Sequence, residues 1–127
     1  MLTFLTAQQM IDEAKKVADT VDVEKVKALR RSSALVLDVR EPNEWQEGHL
    51  EGAVAIPRGV LEMKISDEES DHQRPIVTYC ASGGRAALAG KLLKDMGYLE
   101  VYNVGGFAEW KEAGAAVEEP VDRGMSQ

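Results

Sequence analysis

Cys80 is the only cysteine in the 127-residue chain, and it stands where a thiol can react. It follows the apolar run IVTY (76–79) and opens the segment Ala81-Ser82-Gly83-Gly84-Arg85, which leads into a helical pattern. A side chain between a strand end and a helix start faces oriented backbone N–H groups and the positive end of the helix dipole. Gly83 and Gly84 permit backbone conformations that turn successive N–H groups inward as a nest for an anion. Arg85 adds a fixed cation. Such surroundings favour a reactive sulfur anion. The same donors would hold an anionic substrate or leaving group. An unpaired cysteine at a strand end is otherwise a small buried hydrophobe. The Gly-Gly-Arg context favours the reactive reading. Four residues separate Cys80 from Arg85, one fewer than in cysteine-dependent phosphatases, so the loop should close around something smaller than a phosphate, such as one extra sulfur on Cys80.

The elements that must position this thiol follow from periodicity and caps. Thr6 and Gln9 form a capping box ahead of an apolar face of Met10, Ile11, Ala14, Val17 and Ala18. Asp22 caps a second helix, with Val23, Val26 and Leu29 or Ala28 inward. Residues 34–39, ALVLDV, are a continuous apolar run, as in a strand buried on both faces. Pro42 starts a short helix, residues 52–57 read as a short strand, and a helix follows from about Arg58. The Cys80 helix stops at Gly97, residues 101–104 form a further strand, and a last helix ends at Gly114. Alternating strands and helices predict an α/β domain with a mainly parallel sheet flanked by helices on both faces. Its ligand crevice lies at the carboxyl ends of the strands, where Asp38, Arg40, Cys80 and the pair Gly105-Gly106 fall together.

Bulk properties narrow the function. Fifteen Lys and Arg against 22 Asp and Glu give a formal charge of -7 without a basic cluster, which argues against nucleic acid. No apolar run approaches the length of a membrane span, and the N-terminus has no signal-peptide pattern. A lone cysteine suits a reducing compartment, so a cytoplasmic location is expected. One cysteine and two distant histidines give no metal site, and no phosphate-loop or dinucleotide fingerprint calls for a cofactor.

Three stretches in order, "LVLDVREPNEWQEGHLEGAVAIPRG", "IVTYCASGGRAALAGKLLKDMGY" and "VYNVGGFAEWKEAG", resemble the single-domain rhodanese, or sulfurtransferase, modules. The resemblance runs over residues 21–117, leaving residues 1–20 as a helical extension and 118–127 as a tail. It implies a sulfurtransferase in which Cys80 takes sulfane sulfur from thiosulfate or a persulfide donor and passes it, through a cysteine persulfide, to cyanide or a thiol. Ala81, Ser82, Gly83, Gly84 and Arg85 would cradle the sulfur. Asp38 and Arg40, matching the family's "DVR", would support the site structurally. Arg58, after Pro57, either adds positive potential at the mouth of the site or serves surface solubility. His49 is expected to hold a turn. The two-domain thiosulfate enzymes follow the cysteine with Arg and Lys, whereas Ala81 and Ser82 stand here, which leaves the donor open. A monomer or weak homodimer is expected. The rival is a module of the same fold whose Cys80 is inert and whose crevice binds a protein partner.

Overall fold

The protein, described from a computed structural model, is seen over residues 4–118. Two apolar runs without alternation, Leu35–Asp38 (β2) and Ile76–Cys80 (β5), are buried at every position. They form the middle of a five-stranded, wholly parallel sheet with Asp19–Thr20 (β1), Val54–Ala55 (β4) and Val101–Gly106 (β6), in the order β1-β6-β5-β2-β4. A two-residue antiparallel pair, His49–Leu50 (β3) with Val117–Glu118 (β7), lies apart from it. Strands buried on both faces need helices on both. On one face the core gathers Leu37, Ile76 and Cys80 under Gly84–Asp95 (α5) and Leu61–Glu68 (α4). On the other, Val36, Val77 and Tyr79 meet Val26 and Leu29 of Val23–Arg31 (α2) and Trp110 of Phe107–Glu112 (α6).

Ala7–Val17 (α1) carries the expected capping box, Thr6 accepting from Gln9 N–H and Gln9 accepting from Thr6 N–H. Its apolar face is narrower than its periodicity predicts. Ala14 and Ala18 are fully buried, whereas Met10 and Val17 remain 48 % and 40 % exposed. The physical reason is close approach: a Cβ at Gly90 of α5 would lie 2.8 Å from the Ala18 Cβ. Small residues bring the chains together along one seam and leave the flanking side chains outside. Farther along the seam, Ile11 Cδ1 would lie 3.0 Å from a Cβ at Gly84, so α1 covers the first turn of α5.

The second helix has its expected bounds and its Asp22 cap, whereas other elements differ at their ends. The strand expected over 52–57 is only Val54–Ala55, because Pro57 turns the chain into a 3-10 turn, Arg58–Val60, before α4. Strands β1, β3 and β7 have two residues each, too short for a periodicity to mark them in the sequence. The rest of the expected tail, from residue 119, lies outside the described residues.

Candidate active site

Cys80 ends β5 with its side chain on the α5 face, beneath the loop that follows, and is fully buried. Ala81 and Ser82 arch outward into solvent. Gly83 then caps α5 with φ 101°, a left-handed conformation that favours glycine. This turn aims two donors at the sulfur: Gly83 N–H at 2.9 Å and Ala86 N–H at 3.4 Å from Sγ. The thiol therefore supplies the side-chain acceptor at the start of α5 that its glycine N-cap lacks. Helix geometry leaves the N–H groups of Gly84 and Arg85, in the same first turn, without intrahelical acceptors. Thr78 Oγ1 donates to the Ala86 carbonyl at 2.9 Å and fixes that turn to β5.

The loop is packed backbone to backbone against the turn leaving β6. Cys80 pairs with Gly106 across an irregularity in the β5–β6 register. Asn103 Oδ1 accepts from Gly105 N–H at 2.9 Å and shapes that turn. A Cβ on Gly106 would lie 2.6 Å from the Ala81 carbonyl oxygen, and one on Gly83 would lie 3.2 Å from Gly105 Cα. Gly106→Ala should therefore displace the Ala81 carbonyl and with it the donors on Sγ. Misplacement of about 1 Å in a reacting geometry costs on the order of 100-fold, so we expect alkylation or sulfur loading of Cys80 to change rate by about tenfold or more. Gly59→Ala, with nothing within 4 Å of its Cβ, is the control. Equal Cys80 kinetics in both variants would show that the loop tolerates the extra carbon.

Arg85 turns its guanidinium toward Glu44, on the helix Pro42–Gln46 (α3). Nη1 and Nη2 donate to Oε1 and Oε2 at 2.7 and 3.0 Å. Glu44 also accepts from Glu41 N–H at 3.0 Å, in a reciprocal cap of α3. The hydrogen bond from Arg85, the leading cause, holds the Glu44 carboxyl at about 2, and the same bond raises Arg85. A carboxyl with a depressed folded pKa stabilises the fold fully above its ordinary value of 4.5, and that contribution disappears as pH falls toward 2. Glu44 and Arg85 side chains are 26 % and 35 % exposed, so solvent screening limits the pair to about 1 kcal/mol. The unfolding free energy of wild type minus that of Glu44→Gln should thus shrink between pH 5 and pH 2. A difference independent of pH would mean that the carboxylate charge contributes nothing.

Asp38 and Arg40 form a buried pair, 0 % and 6 % exposed, at the end of β2. Arg40 donates from Nη2 to Asp38 Oδ2 at 2.7 Å and to the Gly48 carbonyl at 2.8 Å, with its guanidinium 4.4 Å from the Phe107 ring centre. Arg58 stands at the same sheet edge, its N–H on the Val39 carbonyl, with Nη1 3.9 Å from Glu62 Oε2 and a buried Nε that has no partner. No hydrogen bond among the described residues joins Asp38, Arg40 or Arg58 to Cys80. His49 holds its turn: it stacks on Trp45 at 3.3 Å and bridges the Trp45 carbonyl and Glu118. Sequence reasoning missed Ala86 as a donor to sulfur, although its place in the first turn of a helix starting near Gly84 was a usable signal. Nothing in the sequence pointed to Glu44 as the partner of Arg85, 41 residues away.

Comparison with known proteins gives the family. The rhodanese-like domain family model matches residues 8–113. The thiosulfate sulfurtransferase GlpE of Pseudoalteromonas translucida is 31 % identical over 96 residues, covering 75 % of this chain and 87 % of that protein. A sulfurtransferase of Allochromatium vinosum is 31 % identical over 108 residues, covering 84 % and 89 %. The solution structure of the polysulfide-sulfur transferase homodimer of Wolinella succinogenes superposes with a TM-score of 0.75 at 28 % identity, covering 89 % and 87 %. The chain belongs to the rhodanese-like domain family, with a mainly parallel sheet between helices. No helix among the described residues is long and apolar enough to cross a membrane.

Proposed function

We propose that the protein is a sulfurtransferase that carries sulfane sulfur on Cys80. The observation that carries this reading is the sulfur at the N-terminus of α5, receiving the Gly83 and Ala86 N–H groups. Those amides and the dipole behind them favour negative charge on sulfur. Cys80 thiolate attacks the outer sulfur of thiosulfate or a persulfide, a new S–S bond forms, and the donor's own S–S bond breaks, its pair leaving on sulfite or thiolate. The first-turn N–H groups of Gly84 and Arg85 hold the negative outer sulfur of the persulfide, with Ala81 and Ser82 giving it an uncharged cover. Cyanide or a thiol then attacks that outer sulfur and regenerates Cys80 thiolate. The single thiol fits a reducing, cytoplasmic setting, where persulfides and thiols are at hand.

Intact mass after incubation with each donor tests the reading: one sulfur gained by wild type and removed by cyanide supports it, and none gained from either donor overturns it. The full burial of Cys80 favours a second reading, a binding module in which the thiol is inert. In that case alkylation at neutral pH would be slow and indifferent to Arg85→Ala.

A further inference from the structure

We infer that Glu44 determines which sulfur donor the Cys80 loop accepts: by taking up both terminal nitrogens of Arg85, it directs the site to singly charged persulfides over doubly charged thiosulfate. The inference rests on the proposed transferase reading and deepens it.

The loop has one cation of its own, Arg85, and its fork is closed by a carboxylate in bidentate geometry, at 2.7 and 3.0 Å. Bidentate geometry turns both terminal nitrogens toward the carboxylate, so an incoming anion has to share Arg85 with Glu44. Ala81 and Ser82, the residues exposed at the crest of the loop, carry no charge. The next cation along the sheet edge, Arg58, faces Glu62 at 3.9 Å. Asp38 and Arg40 neutralise each other beneath the surface. Glu41, exposed at the start of α3, adds a further negative charge to the Glu44 side of the loop. Glu41, Glu44 and Glu62 thus oppose Arg58 and Arg85, in a chain whose formal charge is -7. The backbone N–H groups at the start of α5 remain the principal anion donors, and a helix start carries about half a unit of positive charge.

Charge balance separates the two donors. With thiosulfate, Cys80–S⁻ and S–SO₃²⁻ give Cys80–S–S⁻ and SO₃²⁻, so three negative charges share the loop on both sides of the step. With an alkyl persulfide, Cys80–S⁻ and R–S–S⁻ give Cys80–S–S⁻ and R–S⁻, so two do. Half a unit of helix charge, with the side-chain cations already paired, meets the second case better than the first. Removing the Glu44 charge leaves Arg85 positive and relieves the deficit that thiosulfate meets.

The experiment measures sulfur loading of Cys80 by intact mass against time, at neutral pH and low ionic strength, with thiosulfate and with 2-hydroxyethyl persulfide. Wild type should load from the persulfide at least tenfold faster at equal donor concentration. Glu44→Gln should narrow that ratio at least fivefold, mainly through a lower thiosulfate concentration at half-maximal rate, which a merely structural role would not produce. In wild type alone, raising the salt should narrow the ratio as well, since screening weakens the repulsion of the more charged donor. This second readout does not depend on the variant folding. Loading from both donors with a ratio that neither Glu44→Gln nor salt alters would overturn the inference and leave the transferase reading intact. Loading from neither donor would overturn the transferase reading, and the inference with it.

Discussion

Cys80→Ser should take up no sulfur from any donor while melting close to wild type. The expected loss of transfer is complete, because a serine hydroxyl in this position has no accessible anion with which to attack sulfur, and an S–O product would not pass sulfane sulfur onward. The expected stability change is small for a different reason. Sγ accepts from Gly83 and Ala86 N–H, and a hydroxyl oxygen accepts from the same donors, so the acceptor at the start of α5 survives. The shorter side chain and the need to place its proton in a fully buried site should change stability by about 1 kcal/mol, the scale of one hydrogen bond. Intact mass with thiosulfate and persulfide, beside a thermal melt, separates the two effects. Sulfur gained by the serine variant at the wild-type rate would move the carrier away from position 80. A melt lowered by tens of degrees would recast Cys80 as a core residue whose loss of function is loss of fold.

That the thiol and its helix could be read from sequence while its charge environment could not has a local cause. The Cys80 loop is contiguous: a β-branched run, two glycines and a helix pattern lie within 21 residues (76–96), and their dihedral preferences are expressed where they stand. The Thr6 and Asp22 caps are equally local and appear as expected. The Glu44–Arg85 pair depends on how far α3 projects over the edge of the sheet, which turn geometry and packing decide. No spacing rule reaches it. The same holds for Gly106 against Ala81, a contact between backbones that a sequence registers only as a glycine pair after a strand. It also holds for α1, whose periodicity marked five apolar positions although the Ala18–Gly90 seam is narrow enough to leave Met10 and Val17 half outside. Composition sets what a face can bury; the neighbour's shape sets what it does bury.

Asp38→Ala should be among the most destabilising single changes in the protein, by about 3 to 5 kcal/mol, because it leaves the Arg40 guanidinium buried without its counter-charge. For a domain of this size that corresponds to a melting temperature lower by roughly 10 to 20 °C. The pair is tightly made: Arg40 Nε and Nη2 donate to the two Asp38 oxygens at 3.0 and 2.7 Å, and the Arg40 backbone N–H adds a further bond at 2.9 Å. Replacing both partners with apolar residues, Asp38→Leu with Arg40→Met, should recover part of the loss, since the penalty lies in the orphaned charge more than in the missing attraction. A single variant within 1 kcal/mol of wild type would mean that Arg40 finds water or another acceptor. The effect should extend to the candidate site. Arg40 also donates to the Gly48 carbonyl at 2.8 Å, tying the end of β2 to the chain leaving α3, and α3 carries the Glu44 that holds Arg85. Loosening that tie should broaden the position of Glu44, so Asp38→Ala should shift the donor ratio in the same direction as Glu44→Gln, by a smaller factor. An unaltered ratio in a destabilised Asp38→Ala would mean that α3 keeps its place through Glu44 itself, with Arg40 serving the fold alone.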